Sequence, residues 1–264
     1  MYGRLPIAKM FAATVALTAA ISAVMLPINW DGQAASTAAP KIDDLLSVMI
    51  VLSAFVFSLV MVMLFYALWK FKAKPGDESD GEPIHGNTRL EVAWTLIPTI
   101  IVLFGAAYSW SVLNDIEEPA KNALTVDVFS QQYAWSFGYP GKGNAYVQGE
   151  FHVPVNRQVQ FKMHSQDVIH SFWVPEWRIK KDNVPGITTT ATVTPDKVGT
   201  YQLICTELCG FGHASMRAKV VVESPADFRK WVAGLTEKVP APYMESIRQD
   251  TETNPVEPLG AGGA

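Results

Sequence analysis

Two long uncharged segments dominate the hydropathy pattern of the chain. Residues 45–69 contain no Asp, Glu, Lys or Arg, and neither do residues 92–113. Because a helix rises ~1.5 Å per residue, each segment is long enough to cross the ~30 Å hydrocarbon core of a bilayer. Aromatic residues lie near the ends of both segments, where membrane interfaces favour them. The pattern predicts a transmembrane helical hairpin over residues 45–113, with spans 45–69 and 92–113.

A third apolar segment, residues 10–28, has two interpretations. It is rich in alanine and follows Arg4 and Lys9, which is typical of a signal peptide. The sequence Gln33-Ala34-Ala35 offers small residues for a cleavage site, although it fits the usual pattern poorly. Nineteen uncharged residues would also suffice for a further span. Residues 1–35 are therefore predicted as a signal peptide or an extra N-terminal span.

The basic residues between the two spans predict the orientation of the hairpin. The loop carries Lys70, Lys72, Lys74 and Arg89. Loops rich in Lys and Arg remain on the cytoplasmic side of the membrane. Both outer ends of the hairpin should then lie outside the cytoplasm, together with everything that follows Leu113.

The remainder of the chain shows the pattern of a β-rich domain. Short runs rich in β-branched and aromatic residues alternate with Pro and Gly turns, which predicts an antiparallel sandwich or barrel over residues 124–224. A Ser-Pro-Ala-Asp sequence at residues 224–227 predicts the start of a short helix reaching about Lys238. We expect a disordered tail from Pro240, so that residues 225–264 form a short helix and tail. Strands are predicted at residues 124–129, 147–153, 158–164, 187–193, 200–204 and 217–222.

Composition excludes several classes of protein. Only 17% of the 264 residues are charged, against about 25% in soluble domains, so an ordinary cytosolic globular protein is excluded. A net charge of −4 gives no sign of nucleic-acid binding. Two cysteines are too few for a disulfide scaffold.

Both cysteines lie on one short stretch together with a histidine and a methionine. Cys209, His213 and Met216, with His170 upstream, form the ligand types of a blue-copper site. Cys205 is one thiolate too many for a single blue copper. Two thiolates four residues apart can instead bridge two metal ions, each of which also binds one histidine. Met216 and the backbone carbonyl of Glu207 would then be weak outer ligands.

Three simpler interpretations compete with dinuclear copper. The two cysteines could form a disulfide in an oxidising compartment, but the positions of His213 and Met216 would then be coincidental. A structural zinc site of two Cys and two His would leave Met216 unexplained. Met216 could also be an ordinary core residue. The joint spacing of the five side chains favours dinuclear copper.

This pattern resembles a known family. The motif C-x-E-x-C-x3-H-x2-M, together with D-V-I-H-S-F-W-V-P at residues 167–175 and K-D-N-V-P-G at residues 181–186, is similar to subunit II of haem-copper cytochrome c oxidases. The resemblance covers residues 41–222 and implies a cupredoxin-like Greek-key domain with a dinuclear CuA centre. The implied copper ligands are His170, Cys205, Glu207 through its carbonyl, Cys209, His213 and Met216.

The resemblance also implies roles outside the copper ligands. The carboxylate of Glu207 would bind Mg or Mn at the interface with subunit I, as a hard oxygen ligand for a hard cation. Glu91 would feed a proton channel of subunit I, although an acid at a helix start is commonly just a solvated residue. Tyr133 stands at the electron-uptake position, where the family often has Trp, and Trp135 lies two residues on. Asp167 matches an acid that helps the donor to dock.

The implied function is electron transfer within a respiratory enzyme. The chain would take electrons from a c-type cytochrome and pass them to haem in subunit I, which reduces O2 to water and pumps protons. Its partners would be subunit I, subunit III, the cytochrome and the lipid bilayer, but no nucleic acid. The expected location is the bacterial plasma (inner) membrane, with the CuA domain on the periplasmic side.

Three alternatives to this function remain open. The chain could be the CuA subunit of a nitric oxide reductase, or a structural membrane subunit without metal, as in quinol oxidases, which lack the cysteines. A copper-delivery protein would expose its ligands. Here we expect Phe172, Trp173 and Phe211 to wrap around them.

Overall fold

Residues 6–73, 75–76, 83 and 85–253 of the chain are described by a computed structural model. The chain divides into two compact units. One consists of Met1–Trp30 and Asp43–Leu113, and the other of Asp31–Ile42 and Asn114–Ala264.

Three apolar helices supply the first unit. They are α1 (Ile7–Met25), α2 (Ala39–Lys70) and α3 (Thr88–Glu117). Each is long and apolar enough to cross a membrane, with a mean hydropathy of 1.8, 2.8 and 1.9 over its most apolar window. The prediction of two membrane helices is therefore corrected to three among the described residues. The additional helix is the segment that was open to interpretation as a signal peptide or an extra span.

Ten strands build the second unit. They form two five-stranded sheets with the orders β3-β2-β1-β5-β8 and β4-β10-β9-β6-β7. The strands are β1 (Leu124–Gln131), β2 (Ala134–Tyr139), β3 (Ala145–Gln148), β4 (Glu150–Pro154), β5 (Val159–Ser165), β6 (His170–Val174), β7 (Ile179–Asn183), β8 (Thr189–Val193), β9 (Gly199–Cys205) and β10 (Arg217–Glu223).

The sheets are mixed, which differs from the predicted antiparallel arrangement. β1 runs parallel to β5, and β4 runs parallel to β10. The chain makes a long excursion between the members of each pair, and only such a crossover allows two strands to be both adjacent and parallel. The β-rich, cupredoxin-like class is confirmed, whereas the Greek-key connectivity stays a prediction.

The predicted strands match the structure only in part. β2, β6 and β7 were not among them, and the run predicted over residues 147–153 is divided at Gly149. This glycine adopts a φ of 79°, and its N–H donates to the carbonyl of Trp135. The chain can turn from β3 into β4 there because glycine accepts this φ at little cost.

Aromatic side chains fill the space between the two sheets. Phe151 lies near the centre of this core, with ring centroids 4.5 Å from Phe137 and 6.1 Å from Phe172. Trp135, Phe161 and Trp177 are likewise almost completely buried. This aromatic layer lies beneath the loops at the ends of β6 and β9.

Two helices follow the last strand. α4 (Pro225–Ala233) begins as predicted, because the Ser224 hydroxyl accepts a hydrogen bond from the Asp227 N–H at 3.1 Å, but it ends earlier. α5 (Ala241–Thr253) lies where a disordered tail was predicted, so that prediction does not hold for these residues. Its Tyr243 stacks on Phe129 of β1, with ring centroids 4.6 Å apart, and covers the outer face of that sheet. The rest of the predicted tail, residues 254–264, lies outside the described residues.

Candidate metal centre

Two neighbouring strands bring the candidate ligands together. His170 is the first residue of β6, and Cys205 is the last residue of β9. These strands are antiparallel neighbours, with Phe172 opposite Cys205 in the register. The loop after Cys205 returns past Cys209 and His213 into β10. Strand pairing therefore places the histidine from one part of the sequence beside the cysteine loop from another.

The sulfur and nitrogen atoms of the loop form a continuous chain of contacts. Cys205 Sγ lies 3.8 Å from His170 Nδ1 and 3.8 Å from Cys209 Sγ. Cys209 Sγ in turn lies 3.6 Å from His213 Nδ1 and 3.7 Å from Met216 Sδ. The carbonyl oxygen of Glu207 lies 3.4 Å from Cys205 Sγ. All six predicted copper ligands are thus brought to one place.

These distances bear on the simpler interpretations of the motif. A disulfide requires ~2.05 Å between the sulfur atoms, whereas the two cysteines are free and their sulfur atoms are 3.8 Å apart. Two ligands ~2.3 Å from one tetrahedral ion lie ~3.7 Å apart, so the observed spacings suit donors around metal ions. A tetrahedral zinc takes four ligands, and six donor atoms exceed what one such ion needs.

Burial differs among the members of the cluster. His170, Cys205, Cys209 and Met216 are each at most 3% exposed, while His213 is half-buried and the Glu207 side chain is exposed. His170, Cys205 and Cys209 also offer ligand atoms that all lie within 4.8 Å of one another. Soft donors are thus held in a dry, close-packed environment, with a more polar edge at His213 and Glu207.

The two thiols have different acidities. Burial raises the pKa of the Cys205 thiol, but hydrogen bonds with the His170 ring and the Ser171 backbone outweigh burial and lower this pKa to about 6. Burial and the neighbouring Cys205 raise the pKa of Cys209 to about 11. The Cys205 thiol is therefore the more acidic of the two, and metal binding would displace the thiol protons, since the thiolate is the metal ligand.

Asp167 holds the imidazole of His170 in place. Its Oδ1 lies 2.8 Å from His170 Nε2, and its carboxylate also accepts hydrogen bonds from the backbone N–H groups of Gln132 and Val168, both at 2.7 Å. With Nε2 bound to Asp167, the other nitrogen of the ring faces Cys205. A carboxylate behind a histidine ligand is the usual way to fix its tautomer and orientation.

Gln132 connects a third loop to the cluster, and the sequence analysis missed it. Its side-chain amide donates to the carbonyl of Cys209 at 2.7 Å, while its backbone N–H binds Asp167. The same residue therefore contacts both halves of the candidate site. Its position immediately before Tyr133 was the only signal in the sequence that could have drawn attention to it.

Tyr133 and Trp135 occupy different environments. Tyr133 is 40% exposed and packs directly on the loop: a Cβ added to Gly212 would lie 2.6 Å from its ring. Gly210 adopts a φ of 127°, and a Cβ there would lie 2.6 Å from the Tyr133 hydroxyl. Both glycines are needed for this close approach. Trp135 is completely buried and meets His170 edge-on, with ring centroids 6.1 Å apart.

Other expected features differ from the structure. Phe211 was expected to wrap around the ligands, but it is fully exposed on the loop that follows Gly210. Phe172 does lie buried beneath the site. Glu91 belongs to the helical unit, where its carboxylate accepts the Asn87 N–H at 3.1 Å in the first turn of α3. This contact gives Glu91 a local capping role.

Comparison with known proteins connects this geometry to one family. Residues 27–112 match the family model described as cytochrome c oxidase subunit II, transmembrane domain, and residues 144–224 match that of its periplasmic domain. A cytochrome c oxidase subunit 2 of Synechocystis sp. is 34% identical, over 86% of this chain and 83% of the relative. Its counterpart in Thermostichus vulcanus is 33% identical, over 81% of each chain.

A solved structure is similar as well. The periplasmic domain of subunit II of cytochrome oxidase from Bradyrhizobium japonicum is 29% identical, with a TM-score of 0.43 over 44% of this chain and 95% of that domain. The two family matches lie on either side of the β1–β2 region, and the two relatives match 86% and 81% of this chain. The chain belongs to the cytochrome c oxidase subunit II family.

Proposed function

We propose that this chain is the electron-transfer subunit of a membrane-bound haem-copper oxidase. The observation that carries the proposal is the continuous set of contacts from His170 through Cys205 and Cys209 to His213. Each thiol lies beside the other thiol and beside one imidazole. This is the donor arrangement that two copper ions sharing two thiolates require.

The proposed ligands are the six donors of the cluster, His170, Cys205, Glu207 through its carbonyl, Cys209, His213 and Met216. Thiolate, thioether and imidazole are soft or intermediate donors that select copper over hard cations. When bound, a copper pair at this position takes up and gives out one electron at a time. The carboxylate of Glu207 is exposed beside the cluster, and we assign it to a Mg or Mn ion shared with subunit I.

The surrounding residues keep the donors in a fixed geometry. Asp167 orients His170, Gln132 fixes the carbonyl of Cys209, and the buried core around Phe172 excludes water from one side. Donor groups that the protein holds in the same positions before and after electron transfer need to move little during the transfer. A rigid site therefore favours rapid transfer.

We assign electron uptake to Tyr133, with Trp135 as a second candidate. Tyr133 is both exposed and in contact with the loop, so it connects the solvent-facing surface with the copper ligands. The donor would be a c-type cytochrome that docks near Tyr133 and Asp167. The acceptor would be haem in subunit I, which reduces O2 to water and pumps protons. Glu91 would deliver protons to a proton channel of that subunit. Subunit III would complete the assembly.

The membrane arrangement follows from the apolar helices. Residues 45–69 and 92–113 would form the hairpin, residues 124–224 the Greek-key CuA domain, and residues 1–35 a signal peptide or third span. The periplasmic family domain agrees with the orientation inferred from the basic loop. We place the chain in the bacterial plasma membrane.

The alternatives are not favoured. A metal-free structural subunit would have no need for free, buried thiols next to two imidazoles. A nitric oxide reductase subunit would share the copper site. The assembled complex would then reduce nitric oxide and not O2, so an assay of O2 consumption distinguishes the two functions.

Electron paramagnetic resonance of the copper-loaded full chain in detergent tests the metal centre. A hyperfine pattern from one electron shared equally by two copper nuclei supports the proposal. A single-copper spectrum, or no copper uptake while both thiols remain reduced, would overturn it.

A second experiment tests the electron-uptake assignment. Tyr133→Ala in the assembled oxidase should slow the oxidation of reduced cytochrome c about tenfold or more. The matched control is Tyr201→Ala, because the Tyr201 hydroxyl binds the Lys197 carbonyl, away from the loop. Equal rates for the two variants would remove Tyr133 from the path.

A further inference from the structure

The segment that leads from α1 into the first residue of α2 is bound to the β-domain along most of its length. We call residues 31–39 the strap. The Ala35 N–H donates to the Glu176 carbonyl at 2.7 Å, and the Thr37 N–H donates to the Thr194 carbonyl at 3.0 Å. Ser36 forms a β-bridge with Pro195. The strap therefore belongs to the same compact unit as the β-domain, although residues 43–113, which carry most of α2 and α3, separate the two in sequence.

The middle of the strap is buried. Ala35, Ser36 and Ala39 are 1%, 0% and 0% exposed. The Ser36 hydroxyl donates to the Trp177 carbonyl at 2.9 Å and accepts the Ala39 N–H at 3.2 Å. Because every polar group named here has a partner, these residues are built into the domain in the same way as a strand.

Arg178 fastens the N-terminal end of the strap. Its guanidinium donates to the carbonyl of Asp31 at 2.8 Å and to that of Gly32 at 3.0 Å, and its side chain is only 7% exposed. The Asp31 carboxylate lies 4.0 Å from the same guanidinium. Lys197 adds a hydrogen bond to the carbonyl of Ala34 at 2.5 Å. Arg178 thus takes two of its acceptors from residues 31 and 32, in addition to the carbonyl of Pro175 at 2.9 Å.

This geometry conflicts with proteolytic cleavage in the strap. The small-residue cleavage candidates after the first apolar run, such as Gly32-Gln33-Ala34 and Gln33-Ala34-Ala35, lie in the strap, and residues 26–30 contain no small residue. A cut after Ala34 would leave a new ammonium on the buried Ala35 and remove two acceptors from Arg178. The new ammonium and the Arg178 guanidinium would then both be poorly solvated charges with fewer partners, which would destabilise the folded domain.

We propose that the mature protein retains residues 31–39 as a strap that completes the β-domain, and that any proteolytic processing lies upstream of Asp31. The inference is independent of the copper site.

Intact-mass analysis of the full chain, purified from bacterial membranes, tests the proposal directly. A first residue at Asp31 or earlier, including an uncut chain, is the expected result. A first residue at position 32 or later would overturn the proposal.

Limited proteolysis tests the role of Arg178. Arg178→Ala should make the bonds of residues 31–38 about tenfold more sensitive to a broad-specificity protease, because hydrogen bonds to a charged group are lost. Arg157→Ala is the matched control, since Arg157 also donates to a backbone carbonyl, that of Asn122, but is exposed. The milder Ser36→Ala provides a second variant should Arg178→Ala fail to fold. Strap cleavage in both variants no faster than in the control would contradict the fastening described here.

Discussion

Two buried histidines of the β-domain look alike in isolation and differ in their surroundings. His170 and His152 each lie beside a carboxylate, at 2.8 Å from Asp167 and at 2.9 Å from Glu223. The second nitrogen of His170 faces the thiol of Cys205. The ring of His152 instead stacks on Trp231 of α4, with centroids 3.9 Å apart and planes at 8°.

The difference shows what makes a metal ligand in this fold. A histidine–carboxylate pair orients an imidazole, but orientation alone supplies a single donor. At His170 further soft donors converge from a glycine-containing loop. At His152 the same kind of pair helps to hold a helix against the sheet.

Removal of the Cys205 thiol should reduce copper affinity more than any other change proposed here. Cys205→Ser replaces the donor that contacts both His170 and Cys209, so copper affinity should fall by more than about 100-fold, since changes behind the ligands alone cost 10–100-fold. Copper content after dialysis, together with the magnetic resonance spectrum, measures the loss. Retention of the shared-electron spectrum in this variant would contradict the bridging role.

Removal of charge from the two carboxylates should separate the two histidines. Asp167→Asn should lower copper affinity by about 10–100-fold, because His170 loses the group that orients it. Glu223→Gln makes the same chemical change behind His152 and should leave copper affinity unchanged. Titration with a competing chelator compares the two variants. Equal losses in both would mean that the effect is a general one on stability.

Truncation of His152 should change the stability of the fold and leave metal binding unchanged. His152→Ala removes the stacking on Trp231 and the contact with Glu223, so we expect the free energy of unfolding to fall by about 1–3 kcal/mol. Urea unfolding of the full chain in detergent measures it. Copper affinity of the folded variant should equal that of the parent. A loss of copper affinity would contradict the separation of His152 from the metal centre.

The smallest effect is expected at the weak outer ligand. Met216→Leu nearly conserves volume, so the fold and both copper ions should be retained, while the reduction potential should shift because the outer ligand tunes it. Met163→Leu is the matched control, since Met163 is equally buried in the core of β5. Spectroelectrochemical titration measures both. The same potential in the two variants would show that Met216 is a core residue only.

Much of the site was predictable because its signals are local in sequence. Cys205, Cys209, His213 and Met216 lie within twelve consecutive residues, and a short loop leaves their side chains few ways to remain apart. Gln132 was not predictable, since its contact with Cys209 joins residues 77 positions apart in the chain. The burial of Trp135 and the exposure of Phe211 likewise depend on which sheet face or turn each residue occupies.

The same reasoning explains the errors in the fold. The helical pattern of α5 was obscured by the prolines around it. Only the tertiary structure supplies the aromatic side chains of Phe129 and Tyr146, against which Tyr243 of this helix packs. The parallel pairing of β1 with β5 is a long-range choice that short apolar runs do not encode.

The sequence by itself determined the apolar helices, the side of the membrane and the set of soft donors, because hydropathy, charge and ligand chemistry are properties of consecutive residues. Only the tertiary structure decided that His170 meets Cys205, that Asp167 and Gln132 support them, and that residues 31–39 complete a domain that follows them by some eighty residues. These contacts arise from strand pairing and burial between distant segments, where many registers are possible and packing selects one.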